Sequence, residues 1–248
     1  MLINTIYENE SIEDLQYNHL QIIQKKNGFR FGTDAVLLCG FAHIKNYDKV
    51  VDLGTGTGIL SILLSQKAEN LQIHAFEIQE DMADMASRSV LLNRLQDMIQ
   101  IHHGDYRFAA NILGKASQTV VVCNPPYGKE RSTVLPPNVN KLISKHETET
   151  SIEATIEAAS QLLMYAGRFY ICFPSVWLVE VFALLRKYSL EPKKLRFVQS
   201  YAQKKPYLML IEAVKHGKPY IVIDAPLILH NEDGSMKPEV KQIYHIKK

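Results

Sequence analysis

The sequence predicts an α/β fold in which a mostly parallel sheet lies between two layers of helices. Short β-branched runs alternate with helical patterns from residue 49 to residue 188, and such alternation is typical of parallel strands joined by crossover helices. A glycine-rich turn joins the first strand of this series to its helix, as is typical of ligand-binding α/β sheets. Two strand patterns without a helix between them cover 194–215 and predict an antiparallel hairpin at one edge of the sheet.

The N-terminal part predicts a small β-hairpin followed by a helix. Strands over 19–24 and 29–32 are expected to meet at Asn27-Gly28, which supplies the positive φ that a tight turn needs. A helix over 34–44 follows. Thr33 is its predicted N-cap, and Asp34 lies in the first turn beside the positive end of the helix dipole.

The middle of the chain supplies the alternating elements. Strands are predicted over 49–54, 71–78, 98–105, 119–126 and 168–174, and helices over 59–68, 79–95, 151–167 and 175–188. Gly167 is expected to end the third of these helices as its C-cap. Further strand is expected after residue 217, and the polar segment 128–150 is interpreted as a long loop.

Composition indicates a globular, reduced protein. The chain is 46% hydrophobic and 22% charged, which excludes fibrous and disordered classes, and no apolar run reaches the roughly 18 residues that a membrane span needs. The polar N-terminus does not resemble a signal peptide. Cys39, Cys123 and Cys172 are too scattered for a disulfide framework or a metal cluster, so we expect a cytoplasmic protein without a metal.

Positive charge is concentrated toward the C-terminus. Residues 186–248 contain 13 Lys or Arg and 6 Asp or Glu, although the whole chain carries a net charge of only +2. Such an asymmetry indicates either a polyanionic partner or a solubilising surface.

The sequence "VVDLGTGTGIL" places Gly54, Gly56 and Gly58 between a strand and a helix. Glycines at such a turn let a ligand approach the main chain and leave helix amides free for its polar groups. The spacing is not that of a dinucleotide fingerprint, because residue 59 is Ile, and no lysine follows as in a phosphate loop. A purely structural turn is the alternative interpretation.

Acidic and amide side chains follow the next strands. Glu77 ends the second strand, where a carboxylate is suited to accept hydrogen bonds from ribose hydroxyls, although a solvated glutamate is also possible there. Asp105 follows the third strand and is interpreted either as an acceptor for the exocyclic amine of a cofactor or as a helix N-cap. With Gly54 and Asn124, these residues are expected to meet at the carboxyl edge of the sheet.

Asn124-Pro125-Pro126-Tyr127 directly follows the fourth strand. Two consecutive prolines fix φ and remove two amide donors, so that the segment offers mainly acceptors. With the flat ring of Tyr127, this array suits a planar group that carries an exocyclic amine. A simple Asn-Pro turn is the alternative.

These motifs, in this order and spacing, resemble class I S-adenosylmethionine-dependent methyltransferases of the amino-methylating type. "GFRFGTDAVLL" and "PLILHNEDGSMKPEV" are similar to segments of bacterial enzymes that methylate N6 of the adenine next to the anticodon of valine tRNA. The resemblance implies a Rossmann-like class I methyltransferase fold with a seven-stranded, mostly parallel sheet and an antiparallel C-terminal hairpin. It also implies an N-terminal extension over 1–32, a catalytic domain over 33–215 and a C-terminal extension over 216–248.

The resemblance also implies roles for individual residues. S-adenosylmethionine is expected at Thr33, Asp34, Asp52, Gly54, Thr55, Gly56, Gly58, Glu77, Ile78, Asp105, Tyr106 and Asn124, with Gly32 packed near its methionine end. Asn124, Pro125, Pro126 and Tyr127 are expected to hold the target base. Contacts to tRNA phosphates are predicted for Lys129, Arg131, Lys193, Lys194, Arg196, Lys204 and Lys205.

The reaction implied by the resemblance is in-line displacement, in which N6 of adenine attacks the methyl group of the cofactor. Catalysis of this kind depends mainly on positioning and electrostatics. Methylation at a ring carbon would require a nucleophilic cysteine, and Cys123 lies in an apolar strand, where a thiol is normally inert. No catalytic role is assigned to His102 or His103. Protein-glutamine methylation, DNA adenine methylation and an inactive RNA-binding relative are the alternatives.

Overall fold

A computed structural model describes residues 6–27, 32–125 and 152–244. Its strands are β1 (Glu10–Asp14), β2 (Gln21–Lys25), β3 (Lys49–Leu53), β4 (Gln72–Glu77), β5 (Ile99–His103), β6 (Gln118–Cys123), β7 (Leu163–Pro174), β8 (Leu190–Gln199), β9 (Leu208–Lys215), β10 (Val222–Ile223) and β11 (Leu227–Ile228). Its helices are α1 (Thr33–Phe41), α2 (Ile59–Leu64), α3 (Glu80–Leu92), α4 (Ala109–Leu113), α5 (152–162), α6 (Leu178–Lys187) and α7 (Pro238–Ile243). Short 3₁₀ turns cover Tyr106–Phe108 and Ser175–Trp177.

The main sheet has the order β10-β8-β9-β7-β6-β3-β4-β5, and β11 also pairs with β8. Strands β5, β4, β3, β6 and β7 run parallel to one another, whereas β9 is antiparallel to both β7 and β8. Seven strands form the body of this sheet, and β10 and β11 add two residues each at its edge. The mostly parallel sheet with an antiparallel C-terminal hairpin confirms the predicted fold class.

The core divides into two layers because neighbouring residues of each strand face opposite sides of the sheet. Val50 belongs to a cluster with buried residues of α1, α2 and α3. The adjacent Val51 belongs to a second cluster with buried residues of α4, α5 and α6. The continuous apolar runs seen in the sequence are therefore the strands of a sheet covered by helices on both faces.

An N-terminal hairpin is present, and its first strand, β1, was not predicted. Strand β1 pairs with β2 from Glu10↔Lys25 to Asp14↔Gln21, so the chain of this hairpin reverses over 15–20. The predicted turn at Asn27-Gly28 lies partly outside the described residues. The sequence did not predict this first strand because it is polar. Its buried carboxylate, Glu10, is neutralised by the two terminal guanidinium nitrogens of Arg88, each at 2.7 Å. The predicted strand 29–32 lies mostly outside the described residues.

Two predicted caps are wrong. Helix α1 begins at Thr33 with Gly32 as its N-cap residue, and no side chain caps it. The helix before β7 ends at residue 162, and β7 begins at Leu163. A Cβ on Gly167 would lie only 3.0 Å from the Met164 carbonyl oxygen, so close packing, not a helix cap, requires glycine there.

The C-terminal extension packs on the sheet edge and on α1. β10 and β11 extend alongside β8, and α7 approaches α1 where Gly40 leaves room for it, because a Cβ there would lie 2.7 Å from Ile243 Cγ2. Among the helices that the structure describes, none has the length and apolar character that a membrane span requires.

Candidate functional site

The carboxyl ends of β3, β4, β5 and β6 meet along one edge of the sheet. The chain order reverses between β3 and β6, because β4 and β5 lie on one side of β3 while β6 and β7 lie on the other. Open α/β sheets bind ligands at such a reversal. Gly54 and Asn124 directly follow the two central strands, so the structure brings the predicted loop and the predicted substrate residue to this position.

The loop after β3 has a backbone that depends on glycine. Gly54, Gly56 and Gly58 have φ values of +77°, +59° and +91°, in the left-handed region where other residues are strained. The amides of Gly54 and Thr55 both donate to the Phe76 carbonyl at 2.9 Å. A Cβ added to Gly56 would meet nothing within 4 Å, so the main chain at Gly56 faces open space.

Glu77 joins this loop to the end of β4. One carboxylate oxygen accepts from the Gly56 amide at 2.8 Å, and the other accepts from the Gln79 amide at 2.9 Å. The side chain is buried at 5% exposure, whereas the adjacent Ile78 is 61% exposed. Each carboxylate oxygen has a second acceptor position, so Glu77 is able to accept from ligand hydroxyls while it holds the loop.

Asp52 stabilises the glycine loop through side-chain hydrogen bonds. Its Oδ2 accepts from the Thr55 hydroxyl at 2.6 Å and from the Ser61 hydroxyl at 2.8 Å. The carboxyl group is 1% exposed, and this burial raises its pKa from 3.8 to about 6. Asp52, in β3, therefore connects the loop residue Thr55 to Ser61 of α2, and both Asp52 and Thr55 are buried.

Asp105 caps the 3₁₀ turn that follows β5. It accepts from the Arg107 amide at 2.9 Å and from Arg107 Nε at 2.7 Å, and the Arg107 guanidinium holds the pKa of Asp105 below its usual range. This confirms the alternative interpretation of Asp105 as an N-cap. The next residue, Tyr106, lies beside the glycine loop, because a Cβ on Gly54 would be 4.0 Å from its ring.

Asn124 is oriented by a residue on the neighbouring strand. The Cys172 thiol, on β7, donates to Asn124 Oδ1 at 3.0 Å. Pro125 is buried beside it. The predicted residues Pro126, Tyr127, Lys129 and Arg131 lie outside the described residues. Cys172 was not predicted as a site residue, because only the pairing of β6 with β7 reveals that it adjoins Asn124.

The start of α1 contacts two tyrosines from the C-terminal third. Burial raises the pKa of Tyr244, and the neighbouring Thr33 hydroxyl partly offsets this rise. Burial, followed by the negative charge of Asp34, raises the pKa of Tyr207 to about 12. These contacts bring α7 and the start of β9 next to the Gly32–Asp34 segment, a juxtaposition that no local sequence motif indicates.

The described basic residues that were predicted to contact tRNA form two groups, one within β8 and one after it. Within β8, Lys193 donates to the carbonyls of residues 218–220, the Lys194 ammonium lies 3.7 Å from Asp224, and Arg196 pairs with Glu239 at 2.7 Å. These three side chains hold the C-terminal extension. Lys204 and Lys205 are exposed in the turn after β8, at the same sheet edge as Asn124, because β8 runs in the same direction as β7.

Comparison with known proteins places the chain among methyltransferases. The family model described as "Methyltransferase small domain" matches residues 26–175, more than half of the chain. A protein of Aliivibrio salmonicida named tRNA1(Val) (adenine(37)-N6)-methyltransferase is 26% identical over 84% of this chain and 86% of its own length. A protein of the same name from Porphyromonas gingivalis is 27% identical over 90% of both chains.

Solved structures agree on the fold. A predicted O-methyltransferase from Agrobacterium tumefaciens superposes with a TM-score of 0.70 at 20% identity, covering 86% of this chain and 95% of that one. TYW2 of M. jannaschii, solved in complex with AdoMet, superposes with a TM-score of 0.57 at 15% identity, covering 84% and 86%. At these identities the likeness shows a shared fold.

Proposed function

The chain belongs to the methyltransferase small domain family, and we propose that it transfers a methyl group from S-adenosylmethionine to N6 of an adenine in tRNA. The names of the relatives that span most of the chain support this substrate and point to the adenine next to the anticodon of valine tRNA. We also propose that the enzyme acts in the cytoplasm.

One observation carries the proposal: the glycine loop and Asn124 directly follow β3 and β6, the two neighbouring strands between which the chain order of the sheet reverses. Because β3 and β6 are neighbours, the acceptor oxygen of Asn124 and the open main chain at Gly56 lie at the same edge of the sheet, where open α/β sheets form their ligand cleft. A donor and an acceptor of a group must be held in contact for transfer, and this placement supplies that proximity. The amide oxygen further indicates that the acceptor of the methyl group is an amine.

The residues around Gly56 fit S-adenosylmethionine. Open space lies over Gly56 and over Gly104, and Glu77 has carboxylate acceptor positions for the two ribose hydroxyls. The exposed Ile78 offers an apolar surface to the adenine ring, and Asp105 offers an acceptor to its amine. S-adenosylmethionine would supply an activated methyl group on a sulfonium. The substrate N6 would accept this methyl group and release one proton, with S-adenosylhomocysteine as the second product.

Asn124 acts on the substrate amine. Its Oδ1 is proposed to accept a hydrogen bond from N6–H, which draws the hydrogen toward the protein and favours a nitrogen lone pair that points at the methyl group. Pro125 contributes no amide donor that would compete for acceptors. With Pro126 and Tyr127, which stay predictions, this segment would hold the base after it leaves its stack, at a cost of a few kcal/mol.

Lys204 and Lys205 are the described cations that we propose to bind tRNA phosphates. They are exposed at the edge of the sheet that carries Asn124, and phosphate contacts fix the position of an RNA on a protein without reading its sequence. Lys193, Lys194 and Arg196 are not retained in this proposal, because they contact the C-terminal extension. Lys129 and Arg131 remain predicted contacts.

The proposal is tested by product identification. Purified protein and S-adenosylmethionine labelled in the methyl group are incubated with total RNA, DNA and protein from a strain that lacks the gene, and each fraction is digested and separated. We expect label in N6-methyladenosine from tRNA. Label in methylglutamine, in DNA or in no fraction would reject the proposed substrate, and the first of these outcomes would establish protein-glutamine methylation instead.

Substitution of Asn124 locates the activity at this site. Asn124→Ala removes the acceptor for the amine and is expected to lower kcat at least about 100-fold, within the range seen when one transition-state hydrogen bond is lost. The Kd for S-adenosylhomocysteine, measured by calorimetry, should change less than about 3-fold. Asn111→Ala, at an exposed position of α4, is the matched control and should retain full activity.

A further inference from the structure

We propose that Cys172 is a positioning residue that sets the orientation of the Asn124 carboxamide for methyl transfer. This inference rests on the proposed function, because it assigns Cys172 a role in the action of Asn124 on the substrate amine. Cys172 itself is fully buried and does not contact the substrate. Its effect is exerted through the hydrogen bond between its thiol and Asn124 Oδ1.

The position of the thiol is fixed by the sheet. β7 is bonded to β6 on one side and to β9 on the other, with Cys123 opposite Ile171 and Cys172 opposite Leu210. The Cys123↔Ile171 pair is the last of β6, so Cys172 stands beside Asn124, the first residue after that strand. Because the backbone of β7 is hydrogen-bonded to a strand on each side, we expect it to move little. The Cys172 thiol therefore keeps a constant position relative to Asn124, which follows β6.

The two ends of a carboxamide have almost the same shape but opposite hydrogen-bonding character. A thiol that donates at 3.0 Å favours the orientation in which the oxygen, not the NH2 group, faces β7. A carbonyl oxygen accepts two hydrogen bonds. One acceptor position of Oδ1 is therefore directed at Cys172. Asn124 is partly exposed, so a substrate amine is able to approach its carboxamide from the open side.

The donor strength of the thiol suits this role. A thiol is a weak donor, so it orients the oxygen while leaving most of its acceptor capacity for the substrate. Cys123, on the adjacent strand, has a different partner, since its thiol donates to the Leu53 carbonyl at 3.0 Å. Among the described cysteines, only Cys172 donates its thiol to a side chain predicted to act on the substrate.

The experiment compares variants of Cys172 that keep or remove the donor. Cys172→Val has a similar volume without a donor, and Cys172→Ala removes the donor with less volume. Both are expected to lower kcat about 3- to 10-fold in the tRNA assay, as expected for the loss of one hydrogen bond between uncharged groups. Cys172→Ser keeps an O–H donor and should retain at least about half of kcat. The KM for S-adenosylmethionine should stay within about 2-fold in all three.

A purely structural role predicts a different pattern. Cys39→Val, which replaces a buried thiol of α1, is the control for the loss of a core cysteine and should leave kcat unchanged. Wild-type kcat in Cys172→Val, or an equal loss in Cys172→Ser and Cys172→Val at equal melting temperatures, would overturn the inference.

A second readout is independent of turnover. In ¹⁵N NMR spectra, the Asn124 side-chain NH2 group should be rigid in the wild type and in Cys172→Ser, and mobile in Cys172→Val and Cys172→Ala. Absence of methyl transfer by the wild type would reject the proposed function, while the NMR comparison would still decide whether Cys172 orients Asn124. Unchanged mobility in all variants would overturn the positioning role.

Discussion

The two sides of the cleft are built in different ways. On the glycine-loop side, the polar groups bond mainly to each other: the Gly56 amide donates to Glu77, and the loop amides donate to the Phe76 carbonyl. On the Asn124 side, the acceptor is held by a side chain from a different strand, Cys172. The first side is a cradle of main-chain amides, fixed by the glycine conformations and by contacts with the adjacent strand β4, whereas the second depends on one side-chain contact between strands. The ligand side therefore has its own sequence signature, the glycines with positive φ, whereas the orientation of Asn124 depends on which strand lies beside it.

The largest effect on activity is expected from substitution of Glu77, whose carboxylate holds the glycine loop. Glu77→Ala leaves the Gly56 and Gln79 amides without their carboxylate partner and removes the acceptors proposed for ribose. Hydrogen bonds to a charged group contribute about 1.5–3 kcal/mol each. The Kd for S-adenosylhomocysteine, measured by calorimetry, should therefore rise at least about 100-fold.

Glu80→Gln is the matched control for Glu77. Glu80 is three residues further on, exposed in the first turn of α3, and its substitution should leave the Kd within about 2-fold. If Glu77→Ala bound S-adenosylhomocysteine normally and lost only kcat, the carboxylate would belong to the chemistry of the substrate side, and the distinction between the two sides would fail.

A smaller effect is expected from the lysines beside the substrate side. Replacing Lys204 and Lys205 together with Glu should raise the KM for tRNA about 10-fold, because phosphate contacts supply much of the affinity. The plot of log KM against log salt concentration should also become shallower. The KM for S-adenosylmethionine should not change, since these residues lie on a turn beyond β7 and β9.

Two exposed lysines at the other edge of the sheet provide the control. Lys45 and Lys115 precede β3 and β6, and so they lie opposite the cleft. Their joint replacement with Glu changes the net charge by the same amount and should leave the KM for tRNA within about 2-fold. Equal effects of the two double substitutions would show that total charge, not the position of the turn, attracts the RNA.

The cradle was easier to predict from the sequence than the substrate side. Gly54, Gly56 and Gly58 report a backbone with positive φ, and this requirement is visible in the chain itself. The contact of Cys172 with Asn124 spans 48 residues and depends on which strands pair. The separate locations of Lys193 and Lys204 follow from the direction of β8. The polar strand Glu10–Asp14 was not predicted because Arg88, which neutralises the carboxylate of Glu10, lies far along the chain. Sequence patterns describe local geometry, but they do not show which distant residues are brought together by packing.

The smallest effect on methyl transfer is expected at Asp52, where the consequence is a change in stability with pH. The folded protein keeps Asp52 protonated up to about pH 6 because of burial, whereas an unfolded chain releases this proton near pH 3.9. Between these values the folded state binds more protons, so the contribution of Asp52 to the free energy of unfolding decreases as pH rises. One pKa unit corresponds to about 1.4 kcal/mol, so the total is on the order of 3 kcal/mol.

Asp52→Asn removes this titration. Relative to the wild type, the variant should become more stable between pH 4 and pH 7 by an amount of that order, measured by chemical denaturation across the range. Ser61→Ala removes a hydrogen bond that favours the charged carboxylate, so the loss of stability should move to higher pH than in the wild type. A difference between Asp52→Asn and the wild type that did not vary with pH would show that the folded protein holds Asp52 as a carboxylate throughout. The loop would then be held by charged hydrogen bonds from the Thr55 and Ser61 hydroxyls to the Asp52 carboxylate.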